Sequence, residues 1–102
     1  MTQTEFEQLL KSLMNESLNE EDIKILDCRY GLSGQPSSIK KAEKILEIPA
    51  SQIRKIESLA IQKIQNSHSY PAVVLKLEKE DLDSFAINGL AGYYLLALQI
   101  LR

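Results

Sequence analysis

Between Ser51 and Gln62 the sequence reads SQIRKIESLAIQ, and its polar members recur at a spacing that a helix gathers on one side. At roughly 100° per residue, Ser51, Arg54, Lys55, Ser58, Gln62 and Gln65 fall opposite a stripe of Ile53, Ile56, Ala60 and Ile64. Such a face can hydrogen-bond, its two cations can pair with anions, and Arg54 adds a planar fork of donors that suits paired acceptors. No other cluster has comparable reach. His68 stands between Ser67 and Ser69 without a cysteine or second histidine nearby in the chain, so neither metal binding nor catalysis is expected of it. Glu78, Glu80, Asp81 and Asp83 form an acidic run that lacks the glycine and terminal glutamate of a calcium loop and suits the start of a helix. Phosphate-cradling glycine loops and nucleophile elbows are absent. The expectation is a non-enzyme with no catalytic residues, no metal and no cofactor. Tyr93 and Tyr94 read as core or interface aromatics in preference to a base-stacking pair.

The elements that must position this face come from a chain of 102 residues, enough for one core. An apolar share of 44% with 25% charged residues is that of a folded protein, not a disordered one. The lone Cys28 has no internal disulfide partner and lies in an apolar stripe, as a small buried hydrophobe does in a reducing cytoplasm. The longest apolar stretch, Gly89 to Leu101, is shorter than the roughly 20 residues a membrane span needs, and acids occupy the N-terminus where a signal peptide carries bases. A cytoplasmic protein without a membrane partner is expected. Its net charge of −2 is unevenly spread: residues 18–66 hold eight basic and seven acidic side chains, while both flanks are net acidic.

Thr4 followed by Glu7 makes a capping box, which predicts a first helix over about residues 5–15 with Phe6, Leu9, Leu10, Leu13 and Met14 on one face. Asn19 precedes three acids and predicts a second helix over about residues 20–30, flanked by Leu18 and Ile23 as a hydrophobic staple and stopped by Gly31. Residues 31–38 read as a loop, and either Ser37 or Ser38 can cap a short helix whose inner face is Ile39, Ala42, Ile45 and Leu46. Pro49 forces a turn at Glu47 and Ile48, after which a longer helix runs from about 50 to 67. The pair forms a helix-turn-helix. Val73 to Leu77 is a short strand or an extended connector, and residues 81–102 form one last helix in which Gly89 and Gly92 are weak points or places of close approach. The whole is an all-α fold: an N-terminal helix over 1–17, the helix-turn-helix unit over 18–66, and a connector with a C-terminal helix over 67–102.

Leu18-Asn-Glu-Glu, Ile25-Leu-Asp-Cys-Arg-Tyr-Gly-Leu32, Pro36-Ser-Ser-Ile39 and Ile53-Arg-Lys-Ile-Glu-Ser-Leu-Ala-Ile-Gln-Lys-Ile64 together resemble region 4 of primary-type bacterial sigma factors, over about half of the chain and in one register. The resemblance implies a module that docks on the β-flap of RNA polymerase and lays its last helix in the major groove of promoter DNA. Carried over, the groove-facing positions are Ala50, Ser51, Gln52, Arg54 and Lys55, to which the polar face adds Ser58 and Gln62 as DNA-binding candidates. The family usually has Arg, Glu and Arg at the first three positions, so phosphate attraction and guanine reading are reduced here. Glu47 occupies the usual turn glycine, and Leu59 replaces an exposed lysine; an added leucine on an outer face is expected to be covered, with the C-terminal helix the nearest candidate. Two functions follow: a small DNA-binding regulator, dimerising through its first or last helix, or a sigma-like interaction module that binds polymerase or another transcription protein with base reading largely lost. The outer face of helix 50–67, free or covered, separates them.

Overall fold

The computed structural model describes residues 1–102 and is all-α. Helix α1 (Gln3–Ser17) opens on a capping box in which Thr2 Oγ1 accepts the Glu5 N–H at 3.1 Å and the Glu5 carboxylate accepts the Thr2 N–H at 3.2 Å. The box expected at Thr4 and Glu7 is therefore displaced by two residues. Both pairs have the required spacing, and once a helix is nucleated each further residue adds a hydrogen bond, so the earlier cap prevails. Helix α2 (Glu20–Tyr30) starts as expected at Asn19, whose side chain accepts the Asp22 N–H at 2.8 Å, and ends at Gly31 with φ of 70°. Ser38 caps α3 (Ile39–Leu46) by accepting the Lys41 N–H. The three residues Glu47, Ile48 and Pro49 turn the chain into α4 (Ala50–Gln65).

The C-terminal third departs from its sequence reading. Tyr70–Leu77, expected as strand or connector, is helix α5, with Pro71 in its first turn where a missing N–H does no harm. Val73 and Leu77, one helical turn apart, are both buried in the core; that burial outweighs the weak strand preference of valine. The single helix expected over 81–102 is broken. A short α6 (Asp83–Phe85) and a wide turn over Ala86–Leu90 lead into α7 (Ala91–Ile100), the break lying at Asn88 and at Gly89, whose φ is 94°.

Two cores hold these elements. The larger joins α1, α2, α4, α5, α6 and α7 through Phe6, Leu10, Leu13, Leu26, Ala60, Ile64, Leu77, Phe85, Leu96 and Ile100, with the Phe6 and Phe85 rings stacked at 4.1 Å. The smaller lies among α2, α3 and α4: Ile25, Ala42 and Ile53, with Cys28, Ile39, Leu46, Ile48 and Ile56 partly buried around them. Ile45, expected on the inner face of α3, is 56% exposed. An eight-residue helix has room for one narrow apolar stripe, and Ile39, Ala42 and Leu46 fill it. An ion pair between exposed Lys63 and buried Asp22 fastens α2 to α4: Lys63 Nζ donates to the Asp22 carboxylate at 2.8 Å, and that same carboxylate caps α2.

Helix α7 reaches this assembly through Gly92. A Cβ at Gly92 would lie 2.6 Å from the Tyr30 carbonyl oxygen and 2.7 Å from that of Gly31, so the glycine lets α7 sit directly on the end of α2. Gly92→Ala gains about 1 kcal/mol of helix propensity, but backbone carbonyls cannot yield as a side chain can. Overpacking of this kind costs about 1–3 kcal/mol, so a net loss of stability is expected in urea unfolding. Gly34→Ala, where nothing lies within 4 Å of the added carbon, should stay within about 0.5 kcal/mol of the parent. Glu47 is the one non-glycine residue with positive φ, at 57°. Left-handed geometry costs an L-residue roughly 1–2 kcal/mol and a glycine's extra chain entropy roughly 0.5–1 kcal/mol. Glu47→Gly is therefore expected to stabilise the fold slightly in the same measurement.

Candidate nucleic-acid interface

The candidate face is built on α4, and its orientation follows from which side of that helix is buried. Ile53 enters the smaller core while Ala60 and Ile64 enter the larger, so the helix is held along its length by one stripe. The other side is open: Ser51, Gln52, Arg54, Lys55, Ser58 and Gln62 are all exposed. Gln65 is not part of this open face, because its Nε2 turns to donate to the Ile100 carbonyl at 3.2 Å, a carbonyl that also accepts the Tyr70 hydroxyl. Leu59, expected to be covered by the C-terminal helix, is 44% exposed. Helix α7 packs instead on the inner side of α4, where Leu96, Ala97 and Ile100 join the larger core. An almost wholly apolar helix is drawn to the side of α4 that already carries apolar residues, and a lone leucine on the polar side cannot compete.

Two open grooves run along the flanks of α4. One, of about 640 Å³, is bordered by Arg29, Tyr30, Arg54, Glu57, Ser58 and Gln99 among others. Another, of about 580 Å³, is bordered by Glu16, Leu59, Lys63, Asn66 and His68. Gln62 belongs to both and so marks the ridge between them. Burial, with the charge of Glu57 beside it, raises the Tyr30 phenol above its ordinary value, leaving a neutral hydrogen-bonding group in the first groove at neutral pH. His68 is exposed in the second, and no set of three or more metal-ligating side chains comes together anywhere in the chain.

Charge around the face is set by which groups are paired. Arg29 is joined to Glu57 and Lys63 to Asp22, whereas Arg54 and Lys55 take part in no ion pair. The same holds for Lys40, Lys41 and Lys44, all exposed on α3, the helix packed against α4. From residue 39 to residue 58 there are five cations and three acids, and the acids are largely engaged in structure. Glu57 pairs with Arg29, and Glu43 accepts the Ala50 N–H at 3.1 Å, capping α4 from α3 where Pro49 has no side chain able to do so. These lysines do not stand out in the charge balance of residues 18–66, where the acids that start α2 mask them. The signal available was the pair Lys40-Lys41 with Lys44 one turn on.

Three successive residues of α2 hold the loop that leads into α3. Asp27 accepts the Ser33 N–H and hydroxyl at 2.8 and 2.7 Å, the Cys28 carbonyl accepts the Ser37 N–H at 3.0 Å, and Arg29 Nη1 donates to the Ser37 carbonyl at 2.7 Å. No family model matches the chain, and comparison with curated proteins and with solved structures finds no match. Of the two bonds Arg29 makes, the one to Ser37 is the stronger, since its contact with Glu57 is 3.4 Å long. Arg29→Met is accordingly expected to cost about 1.5–3 kcal/mol in chemical unfolding, and Glu57→Gln about 1 kcal/mol or less.

Proposed function

We propose that this is a cytoplasmic, sigma region 4-like DNA-binding protein of transcription, with α4 entering the major groove through Ser51, Gln52, Arg54, Lys55, Ser58 and Gln62. The observation that carries the reading is the uncovered polar side of α4, with Arg54 and Lys55 free of ion pairs and the unpaired lysines of α3 beside it. In helix-turn-helix proteins the second helix meets base edges and the first crosses the phosphate backbone. By that geometry Lys40, Lys41 and Lys44 supply sequence-independent attraction, which is screened by salt. With small or neutral groups at Ala50, Ser51 and Gln52, Arg54 is the side chain best fitted to read guanine.

The test is fluorescence anisotropy on a mixed-sequence duplex of about three helical turns at low salt. Arg54→Ala together with Lys55→Ala should weaken binding by about 1–3 kcal/mol and flatten its salt dependence; unchanged affinity would overturn the reading. Glu43→Gln retains an oxygen to accept the Ala50 N–H but removes a negative charge at the start of α4, so it should bind the duplex more tightly than the parent.

A second reading is favoured by Leu59. As an exposed leucine at the edge of the polar face it suits an apolar partner, and the chain is then a sigma-like interaction module that binds the β-flap of RNA polymerase or another transcription protein. Leu59→Lys separates the two readings. It should abolish retention by an immobilised β-flap if the module reading holds, and should leave or improve duplex binding if the DNA reading holds.

A further inference from the structure

Tyr93 of α7 is only 5% exposed and belongs to the larger core. Its hydroxyl, unlike those of Tyr70 and Tyr94, bonds to no group of the chain. No polar side-chain atom of the protein is both sealed from solvent and without a partner, so this hydroxyl opens outward through a cavity. Burial, and after it the charges of Glu7 and Asp27, raises the phenol above its ordinary value, which places the hydroxyl toward α1 and α2. There Tyr93 borders a cavity of about 250 Å³, with Met14 of α1, Ile23 of α2 and Leu32 of the following loop as its apolar wall. Two charged side chains border it as well. Lys11 is paired with Glu7 at 3.6 Å, whereas Asp27 makes no ion pair and accepts from the N–H and hydroxyl of Ser33.

We propose that this cavity binds a small organic cation, an ammonium carried on an apolar body, with its charge between Asp27 and the Tyr93 hydroxyl. Asp27 selects the sign of the ligand. Ser33 supplies that carboxylate with two donors, and a carboxylate can accept about four, so places remain for an ammonium. An anion in the same place would meet the charges of both Asp27 and Glu7, with only Lys11 to offset them. The phenol, kept neutral by the same surroundings, offers the ammonium a second acceptor oxygen. The apolar body is selected by the wall, since Met14, Ile23 and Leu32 are already wholly or partly buried and gain from the exclusion of the remaining water. The ligand is small, because the cavity lies just below the roughly 300–1,000 Å³ of sites for drug-sized molecules. No residue of α4 borders it, so the site stands whether or not α4 reads DNA.

Titration of the whole isotope-labelled chain with phenethylamine, followed through its backbone amide resonances, tests the site. Phenylacetate is the control, with a similar body and the opposite charge. Phenethylamine should bind saturably with a dissociation constant of about 1 mM or below, moving the amides of Asp27, Ser33 and Tyr93. Phenylacetate should bind at least about tenfold more weakly. Tyr93→Phe removes only the unpartnered hydroxyl, so it should keep the parent's thermal midpoint while weakening phenethylamine about tenfold. Asp27→Asn, whose remaining oxygen still accepts from Ser33, should weaken it by at least as much. Absence of saturable shifts up to about 10 mM, tighter binding of phenylacetate than of phenethylamine, or full affinity in either variant would overturn the proposal.

Discussion

Helix α4 must bury one narrow stripe in two separate cores while its opposite side stays bare, and most of the structure is arranged around that demand. Ile53 belongs to the small core with Ile25 and Ala42, and Ala60 and Ile64 belong to the large one. Helix α2 shows the same division, with Ile25 in one core and Leu26 in the other, so the two helices together bridge both. The small core alone has three fully buried side chains, too little apolar surface to hold three helices against chain entropy. The terminal helices α1, α5 and α7 make good the deficit by building the large core against the inner sides of α2 and α4. They therefore support the candidate interface without touching its outer side.

Orientation within this frame depends on a few polar contacts at helix ends. Glu43 reaches from α3 to the first amide of α4, Asp22 caps α2 and binds Lys63 of α4, and Arg29 spans the loop carbonyl of Ser37 and the carboxylate of Glu57. Each links two elements, and those of Glu43 and Asp22 also satisfy backbone amides at the start of a helix. The left-handed backbone at Glu47 is tolerated because both flanking helices are fixed by burial, which over-determines the turn between them. These contacts also shape the electrostatics. By drawing Asp22, Glu43 and Glu57 into structural bonds, the fold leaves Lys40, Lys41 and Lys44 of α3 and Arg54 and Lys55 of α4 without an ion-pair partner.

Helix α7 itself carries no charged side chain and contributes through burial. Its inner side completes the large core, Gly92 brings its start against the carbonyls of Tyr30 and Gly31, and Leu95 and Leu98 remain exposed on its outer side. The break itself follows from Gly89, where positive φ lets the chain change direction before α7 begins.

Local signals were enough to locate much of this architecture from the sequence. Asn19 as a cap, Gly31 as a stop, Ser38 before α3 and Pro49 before α4 all act through residues one to four positions away, so they stand where the sequence places them. The exposed side of α4 was legible for the same reason, because helical period alone puts Arg54 and Lys55 opposite Ile53 and Ala60. Tertiary structure decided what depends on distant partners. Val73 to Leu77 is helical because its buried pair packs in the large core, Leu59 stays exposed because α7 goes to the apolar side of α4, and the lysines of α3 emerge as free cations only once the nearby acids are bound elsewhere. Spacing determines which residues share a face; burial against remote elements, which spacing does not encode, determines which face is covered.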